Sequence, residues 1–473
     1  MIETLTIPRV NGLAEEDWKQ LQELVAIFNR HIAKNREKDK YYNGHVSLKD
    51  VNLGIALPDG LRNLEIGCEW GAKCVDVLAS RSMFDGFVGT DGSANEKLEE
   101  ICRSNRLIAE YMKACRDELK YGCTFATLSA DQQEGCRIRF HSPLTAAAKW
   151  DGLAGRIGCG LVIVDAEENE LTHIWNPRVL HMHTERALIE LLRSGDMWRA
   201  VYHVHRMGRP MMEPLVWNPT SYKPFGRSRL KEPVRRLIQG YVRTIANATI
   251  GLEFSTTPQK YLLGVTDKQF DAMVNQKFRQ YIGSILVSTE NTETGKAPDF
   301  GQLAQGTIEP HVQMIRILAT QFSAATGLTV TDTGVVNDAN PTSSDAILAQ
   351  SQTLVSMAEQ LNAANGDALN TIAQMALAIA KKVRMEDLEE EERNMIAHFK
   401  NPAMPSVAVT ADAAIKIASA RKEFASTDTF LEMIGFSQAD IRRIKAQESR
   451  ARGIRIVEEL DEEANGDTEE NME

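Results

Sequence analysis

The strongest constraint on this chain is a helix pattern that runs from about residue 343 to residue 383. Ile347, Leu354, Met357, Leu361, Leu369, Ile372, Met375, Ile379 and Val383 fall on one stripe at helical spacing. About forty residues at ~1.5 Å each make a rod of roughly 60 Å, where ~11–12 residues is usual. Such a rod cannot cover its own apolar stripe, so it needs partners along its length. Gly366 is a candidate bend. A second helical pattern, 308–326, precedes it, with a narrow stripe of Ile308, Val312, Ile315, Ala319 and Phe322. Between the two stands TGLTVTDTGVVNDANPTSSDAI, where the periodicity stops but Leu328, Val330, Val335 and Val336 remain. Gly327 has the place of a helix C-cap. Pro341 blocks helix, and Thr342 with Asp345 reads as a capping-box-like start. A long loop specified at both ends, and carrying valines, is expected to be functional.

At 473 residues the chain is too long for one simple core. No stretch of 18 apolar residues occurs, so no membrane-spanning helix is expected. The N-terminal MIETLTIPRVNGLAEEDW has acids and no apolar core of a signal peptide, which points to synthesis in a reducing cytoplasm. Seven cysteines, all between Cys68 and Cys159, form no C-x-x-C pair and read as buried free thiols. The net charge of −11 is concentrated at one end, because Glu458 to Glu473 hold nine acids and no base. That end reads as a solvated, disordered tail.

Residues 1–220 read as α+β, with helices over 14–40, 68–80 and 95–120. Strand-like runs follow: CTFATLS, RIRFHS, GLVIVDA, LTHIWNP, RVLHMHT and WRAVYHVHRMG. A helix over 229–250 leads to a small mixed segment, 251–306. This contains a strand KYLLGV, a helix DKQFDAMVNQKFRQYI, a strand SILVS and a turn NTETGKAPD. An acidic run, Glu386 to Glu392, and NPAMP at 401–405 follow the long helix. Short exposed helices occupy 411–453.

Catalytic patterns are missing. GRIGCG (Gly155, Gly158, Gly160) opens no helix and reads as a hairpin turn rather than a nucleotide loop. TGKA at 294–297 lacks the rest of a P-loop, and there is no G-x-S-x-G elbow. The pairs His181/His183 and His203/His205 put two imidazoles on one face of a strand, with Glu185 the nearby carboxylate, but no matching carboxylate cluster appears. No enzymatic activity, cofactor or metal is expected. From Arg227 to Arg243 six bases (Arg227, Arg229, Lys231, Arg235, Arg236 and Arg243) face one acid, Glu232. A segment of net charge +5 attracts phosphate or an acidic partner. A solvated or inter-subunit face explains it equally.

Ordered motifs along the chain resemble the portal proteins of long-tailed bacteriophages. YYNG (Tyr41 to Gly44), LGIALP and WGAKCVDVLASRSMFDGF (Trp70 to Phe87) are similar to that family's Y-Y-x-G, W and V-D-x-L-A-x-R elements. PFGRSRL (Pro224 to Leu230) resembles its G-x-S-x-[LI] entry into a long helix. LATQFSAATGLTV (Leu318 to Val330) and NPTSSDAILAQSQTLVSMAEQ (Asn340 to Gln360) resemble the flanks of its tunnel loop. LEMIGFSQADIRRIKAQ (Leu431 to Gln447) resembles a helical hairpin near its end. Thr329 stands where the family usually has Pro, which leaves the start of the loop less fixed.

The resemblance implies an α+β, mainly helical portal fold with channel-lining helices. Residues 1–225 would be the wing, 226–250 a stem helix, 251–306 the clip and 307–328 the second stem helix. The tunnel loop would be 329–342, the long wing and channel helix 343–400, the crown 401–457 and the acidic tail 458–473. It implies a ring, usually of twelve copies, at one capsid vertex of the virion, made in the bacterial host cytoplasm. Double-stranded DNA would pass through it during packaging, retention and ejection. The terminase motor, the head–tail adaptor, the major capsid protein and the scaffold protein would be its partners, with no membrane involved. Thr329, Val330, Thr331, Asp332, Thr333, Val335, Val336, Asn337, Asp338 and Asn340 would line the channel. The valines would pack between neighbouring loops, with Thr, Asp and Asn toward water or DNA. Two other readings stay open here. One is another minor head or adaptor protein, against which the clip-sized insertion counts. The other is a cytosolic metal-dependent enzyme using His181, His183, His203 and His205.

Overall fold

The computed structural model describes residues 4–47, 65–89, 94–131, 135–168, 175–256, 260–264, 299–302, 307–335, 344–403, 407–421, 423–424, 427–436 and 440–454 without 442, plus 266, 268 and 295. The chain divides into two units. The first comprises 1–39, 74–230 and 341–473; the second comprises 40–73 and 231–340.

In chain order the elements begin with β1 (Val10–Asn11), α1 (Glu15–Tyr42), β2 (Val46–Ser47), β3 (Glu65–Ile66), α2 (Trp70–Ala79), β4 (Phe84–Val88), α3 (Glu96–Ser104) and α4 (Leu107–Tyr121). Strands β5 (Cys123–Asp131), β6 (Gly135–His141), β7 (Ala146–Asp151), β8 (Arg156–Glu168), β9 (Trp175–His183), β10 (Ala187–Ser194), β11 (Met197–Val204) and β12 (Met212–Val216) follow. Then come α5 (Glu232–Thr256), β13 (Lys260–Leu263), β14 (Asp299–Gln302), α6 (Glu309–Thr326), α7 (Ser344–Lys381) and β15 (Ile396–Phe399). Short helices Val407–Ala420 and Asp428–Ile434 close the assigned elements. The α+β class and the long helix α7 agree with the sequence reading.

The first unit is built on a six-stranded sheet, β1-β11-β10-β9-β8-β7, antiparallel except for β1 against β11. Side chains alternate across it. Leu161, Ile163, Leu180, Met182, Ile189, Leu191 and Trp198 face α1, whose Leu21, Leu24, Phe28 and Ile32 are buried among them. The alternate set, Ala146, Ala148, Ile157 and Val162, joins Cys123, Phe125 and Met212 of a second sheet, β12-β5-β6. Two layers meet closely because Gly160 lacks a side chain. A Cβ there would occupy the site of the Met212 sulfur, and Met212 is wholly buried.

Helix α7 packs against β5, β6, β12, β15 and α3 of the same unit. Its 38 residues bury Leu354, Leu361, Leu369, Ile372 and Met375. Val383 lies past its end and is exposed. The acidic run that follows contains a capping box, in which Glu389 and Glu392 each satisfy the other's backbone. Glu392 is buried and pairs with Lys381 at 2.6 Å.

Several local expectations are corrected. The helix over 95–120 is two helices, which part after Asn105, whose N–H is still on Ile101 O. The Asn105 side-chain amide donates to Cys136 O at 2.8 Å and its carbonyl accepts from Ile138 N at 2.7 Å, while Arg106 takes φ 51°. Only Gly155 of GRIGCG is in a turn, with φ 65°; Gly158 and Gly160 lie inside β8. The described part of LTHIWNP continues into RVLHMHT as the single strand β9. The helix expected over 229–250 runs from Glu232 to Thr256. Strands β4, β7, β10, β12 and β15 fall outside the strand-like runs expected from the sequence. All seven cysteines are free, six of them buried. Of segment 251–306, the strand KYLL pairs with Asp299–Gln302, while the expected helix, the strand SILVS and most of the turn lie outside the described residues. So do Thr342 and the acidic tail. Among the described residues no helix is long and apolar enough to cross a membrane.

One corner of the first unit gathers four separated parts of the chain. Lys38 Nζ donates to Tyr121 O at 2.8 Å, and Asp39 pairs with Lys120 and accepts from Tyr121 OH. Ser228 Oγ donates to Lys120 O at 2.5 Å, and Arg229 N donates to Leu119 O at 2.9 Å. Arg229 Nε reaches Cys74 O at 2.6 Å. Gly226 makes the corner possible. Its φ is +62°, and a Cβ would collide with Trp217 O. Gly226→Ala should therefore cost about 2–3 kcal/mol, against about 1 kcal/mol for Gly155→Ala, which has the same backbone sign and open space. Urea unfolding of the two variants measures the difference.

Candidate functional site

The loop after α6 is the first candidate. Gly327 ends the helix at φ 73°, its N–H on Ser323 O at 2.8 Å, in keeping with its C-cap place. Ser323 Oγ donates to Leu328 O at 2.5 Å, and Leu328 is buried. Thr329 then gives both its N–H and its hydroxyl to Asp332 Oδ2, at 2.9 and 2.8 Å. This corrects the expectation of a loosely fixed start. Proline lacks the N–H that holds this turn, so threonine fixes it by a different bond. A 3₁₀ turn, Thr331–Thr333, follows and ends at Gly334 with φ 79°.

Trp70 anchors the turn from the second unit's own α2 residues. Its Nε1 donates to Thr333 O at 3.1 Å. Its ring lies 4.5 Å from Tyr241 of α5 and 4.9 Å from Phe322 of α6, centroid to centroid. A buried tryptophan needs an acceptor for its N–H, and this carbonyl supplies it. The two helices are close here, since Gly240 of α5 leaves room for Leu318 of α6. Trp70 is legible in the sequence as part of a motif, but not as the loop's support. Thr331 is exposed, while Val330, Asp332, Thr333 and Val335 are half-buried. Asp332 is turned onto its own loop and is not a free charge. Val336, Asn337, Asp338 and Asn340 lie outside the described residues.

The basic segment does not present six equivalent cations. Arg229 is 6% exposed and lies 5.7 Å above the Trp217 ring, serving the corner described above. Arg236 pairs with Glu232 at 2.6 Å one turn away, and this pair holds the Glu232 carboxyl below its usual range. Arg235 stacks over Tyr41 at 5.7 Å. Arg227, Lys231 and Arg243 are exposed. Arg227 and Arg229 belong to the first unit and the other four to the second. The six bases of the segment thus differ in role, because the motif GRSRL uses Arg229 as an internal hydrogen-bond donor.

His181, His183 and His203 sit on the sheet face opposite α1, and His205 lies past the end of β11. His181 and His203 flank Glu190, with nitrogen–oxygen distances of 3.7 and 3.6 Å. Glu190, not Glu185, is therefore the nearest carboxylate; Glu185 faces Arg156. His183 is 2% exposed, and burial pushes its pKa down to about 3. Burial takes His141 to about 4. These rings are neutral near pH 7. Among the described residues no three His, Cys, Asp or Glu side chains are grouped to hold a metal ion.

Against this geometry the sequence matches one family model, "Phage portal protein, SPP1 Gp6-like", over residues 21–453. The chain belongs to that family. No curated protein matches it. Among solved structures, 85% of this portal protein aligns with 98% of a chain from the neck of an empty gene transfer agent (GTA) particle computed with C6 symmetry, at 11% identity and TM-score 0.43. A chain from the neck of the native GTA particle, computed with C12 symmetry, gives 10% identity, 78% and 89% coverage and TM-score 0.43. An HK97 family phage portal protein from Corynebacterium diphtheriae gives 11% identity, 72% and 93% coverage and TM-score 0.32.

The portal protein's two kinds of arginine are separable by stability. Arg229→Ala should cost about 2–4 kcal/mol, because it removes a buried donor to Cys74 O and empties a packed site. Arg236→Ala should stay within about 0.5 kcal/mol, as an exposed pair contributes little. Thermal unfolding of both variants in parallel reads this.

Proposed function

We propose that this portal protein forms a ring, of twelve copies in the virion, through which double-stranded DNA is packaged, retained and ejected. The observation that carries the reading is the family match over residues 21–453. In that ring the segment 251–306 between α5 and α6 serves as the clip. It receives the terminase motor and later the head–tail adaptor. The segment 329–342 is the tunnel loop, and the long helix α7 belongs to the channel wall. Residues 1–225 form the wing that meets capsid and scaffold, and 401–457 the crown.

The site chemistry supports a loose conduit. The described part of the loop offers threonine hydroxyls and a carboxylate already held by Thr329, with no cation among Thr329–Val335. A duplex sliding past such groups meets weak, sequence-independent contacts. Lys231 and Arg243 on and before α5 give phosphate attraction that falls with added salt.

Electron microscopy and native mass spectrometry of the purified full chain should show closed rings. A monomer that scaffold protein does not convert to rings would overturn the proposal. Replacing Val335–Asn340 by Gly/Ser of equal length, which spares the Thr329–Asp332 turn, should leave rings intact. It should lower DNA packaged per particle at least several-fold. Normal packaging by that variant removes the loop from DNA passage.

A further inference from the structure

Glu118 of α4 and Asn365, halfway along α7, meet inside the first unit with no exposed surface on either. Asn365 Nδ2 donates to Glu118 Oε2 at 2.8 Å and to Tyr111 OH at 2.9 Å. Ser82 continues the chain, 2.7 Å from Tyr111 OH and 2.6 Å from Asn362 Oδ1. Each residue of the pair has one oxygen left over. Glu118 Oε1 and Asn365 Oδ1 are both buried and have no hydrogen-bond partner. Two acceptors cannot satisfy each other, but one hydrogen between them satisfies both. An ionised carboxylate with a single neutral donor is also untenable in a dry interior.

We infer that Glu118 is a carboxylic acid in the folded subunit, its proton donated from Oε1 to Asn365 Oδ1. One bound proton thereby closes a two-bond acid–amide pair that fastens α7 to α4. Turning the Asn365 amide over changes which oxygen carries the hydrogen, not the need for it. The titratable groups facing this carboxyl are Tyr111 and Cys115 on its own helix and Cys123 on β5, and none is a cation. Burial raises all three, so they are neutral as well. The same burial pushes Glu118 up to about 8, opposed only by the Asn365 hydrogen bond.

The linkage has a definite sign. The folded pKa lies above the unfolded one, so the stabilisation is complete below about 4.5 and is lost as pH rises through about 8. Between these values the folding constant attributable to this site falls roughly tenfold per pH unit. The proton is thus a ligand of the long helix, and alkaline conditions release it.

Glu118→Gln tests this directly. Its amide keeps both bonds to Asn365 and does not titrate. Urea unfolding of the full chain from about pH 6 to about pH 9 should show the wild-type midpoint falling relative to E118Q. E118Q should equal or exceed wild type at the alkaline end. Parallel curves would overturn the inference. An infrared difference spectrum at neutral pH should show the carbonyl band of a protonated carboxylic acid in wild type and its absence in E118Q. A missing band also overturns it. If E118Q does not fold, the unmodified chain decides. Amide exchange around Asn365, corrected for the intrinsic rate, should accelerate between about pH 7 and about pH 9, and protection that stays constant across that range rules the bound proton out.

Discussion

A buried guanidinium sets the frame of this subunit. Arg229 is held by Cys74 O and covered by Trp217, with its backbone on Leu119. Positions 39, 74 and 230 are where the chain passes between its two units. Asp39, Cys74 and Ser228–Leu230 are all tied to the end of α4 or to one another. A planar, always-charged group with a fork of donors suits this task, since it can satisfy carbonyls from segments distant in sequence. The corner also uses two glycines, Gly122 and Gly226, where backbones approach too closely for a side chain.

The long helix and the sheets differ in how plainly their sequence shows them. Helix α7 is buried nearly all round from Ile372 to Ala378. There it behaves as a core element, and its periodicity weakens as a guide because every face is covered. Nearer its start the stripe is narrower and the pattern is easier to read. The six-stranded sheet shows the same effect. Strands with one clear apolar face, such as β9, are visible as alternation. Strand β7, AAAKWD, carries alanine on the face toward β5 and hides its alternation, while β12, MEPLV, carries proline and pairs with β5, far away in sequence.

Much of the fold is therefore legible in the sequence: the α+β order, the long helix, the free thiols, the break at Gly327 and the family pattern. What is not legible concerns polar groups. Sequence reading treats Arg229, Asp332 and His183 as surface chemistry, because such residues are mostly exposed, and passes over Asn105 inside an expected helix. Here each turns inward: Arg229 and Asp332 onto backbone, Asn105 into the gap between two helices, His183 into a sheet face. Spacing along the chain does not encode which way such a side chain points. The residues after the Thr331–Thr333 turn suffer most, since Val336, Asn337, Asp338 and Asn340 lie outside the described residues. For the described ones, local hydrogen bonds explain the threonines before any partner does.

The contact of Met212 with Gly160 has a consequence for chemical durability. The thioether sits where a side chain on Gly160 would be, sealed between two sheets. Methionine oxidation adds a polar oxygen to sulfur and turns a gap-filling group into a hydrophilic one. No room exists for that oxygen while the layers are closed. The sulfur of Met212 is thereby kept from peroxide by the fold itself, and its oxidation would record that the sandwich had opened.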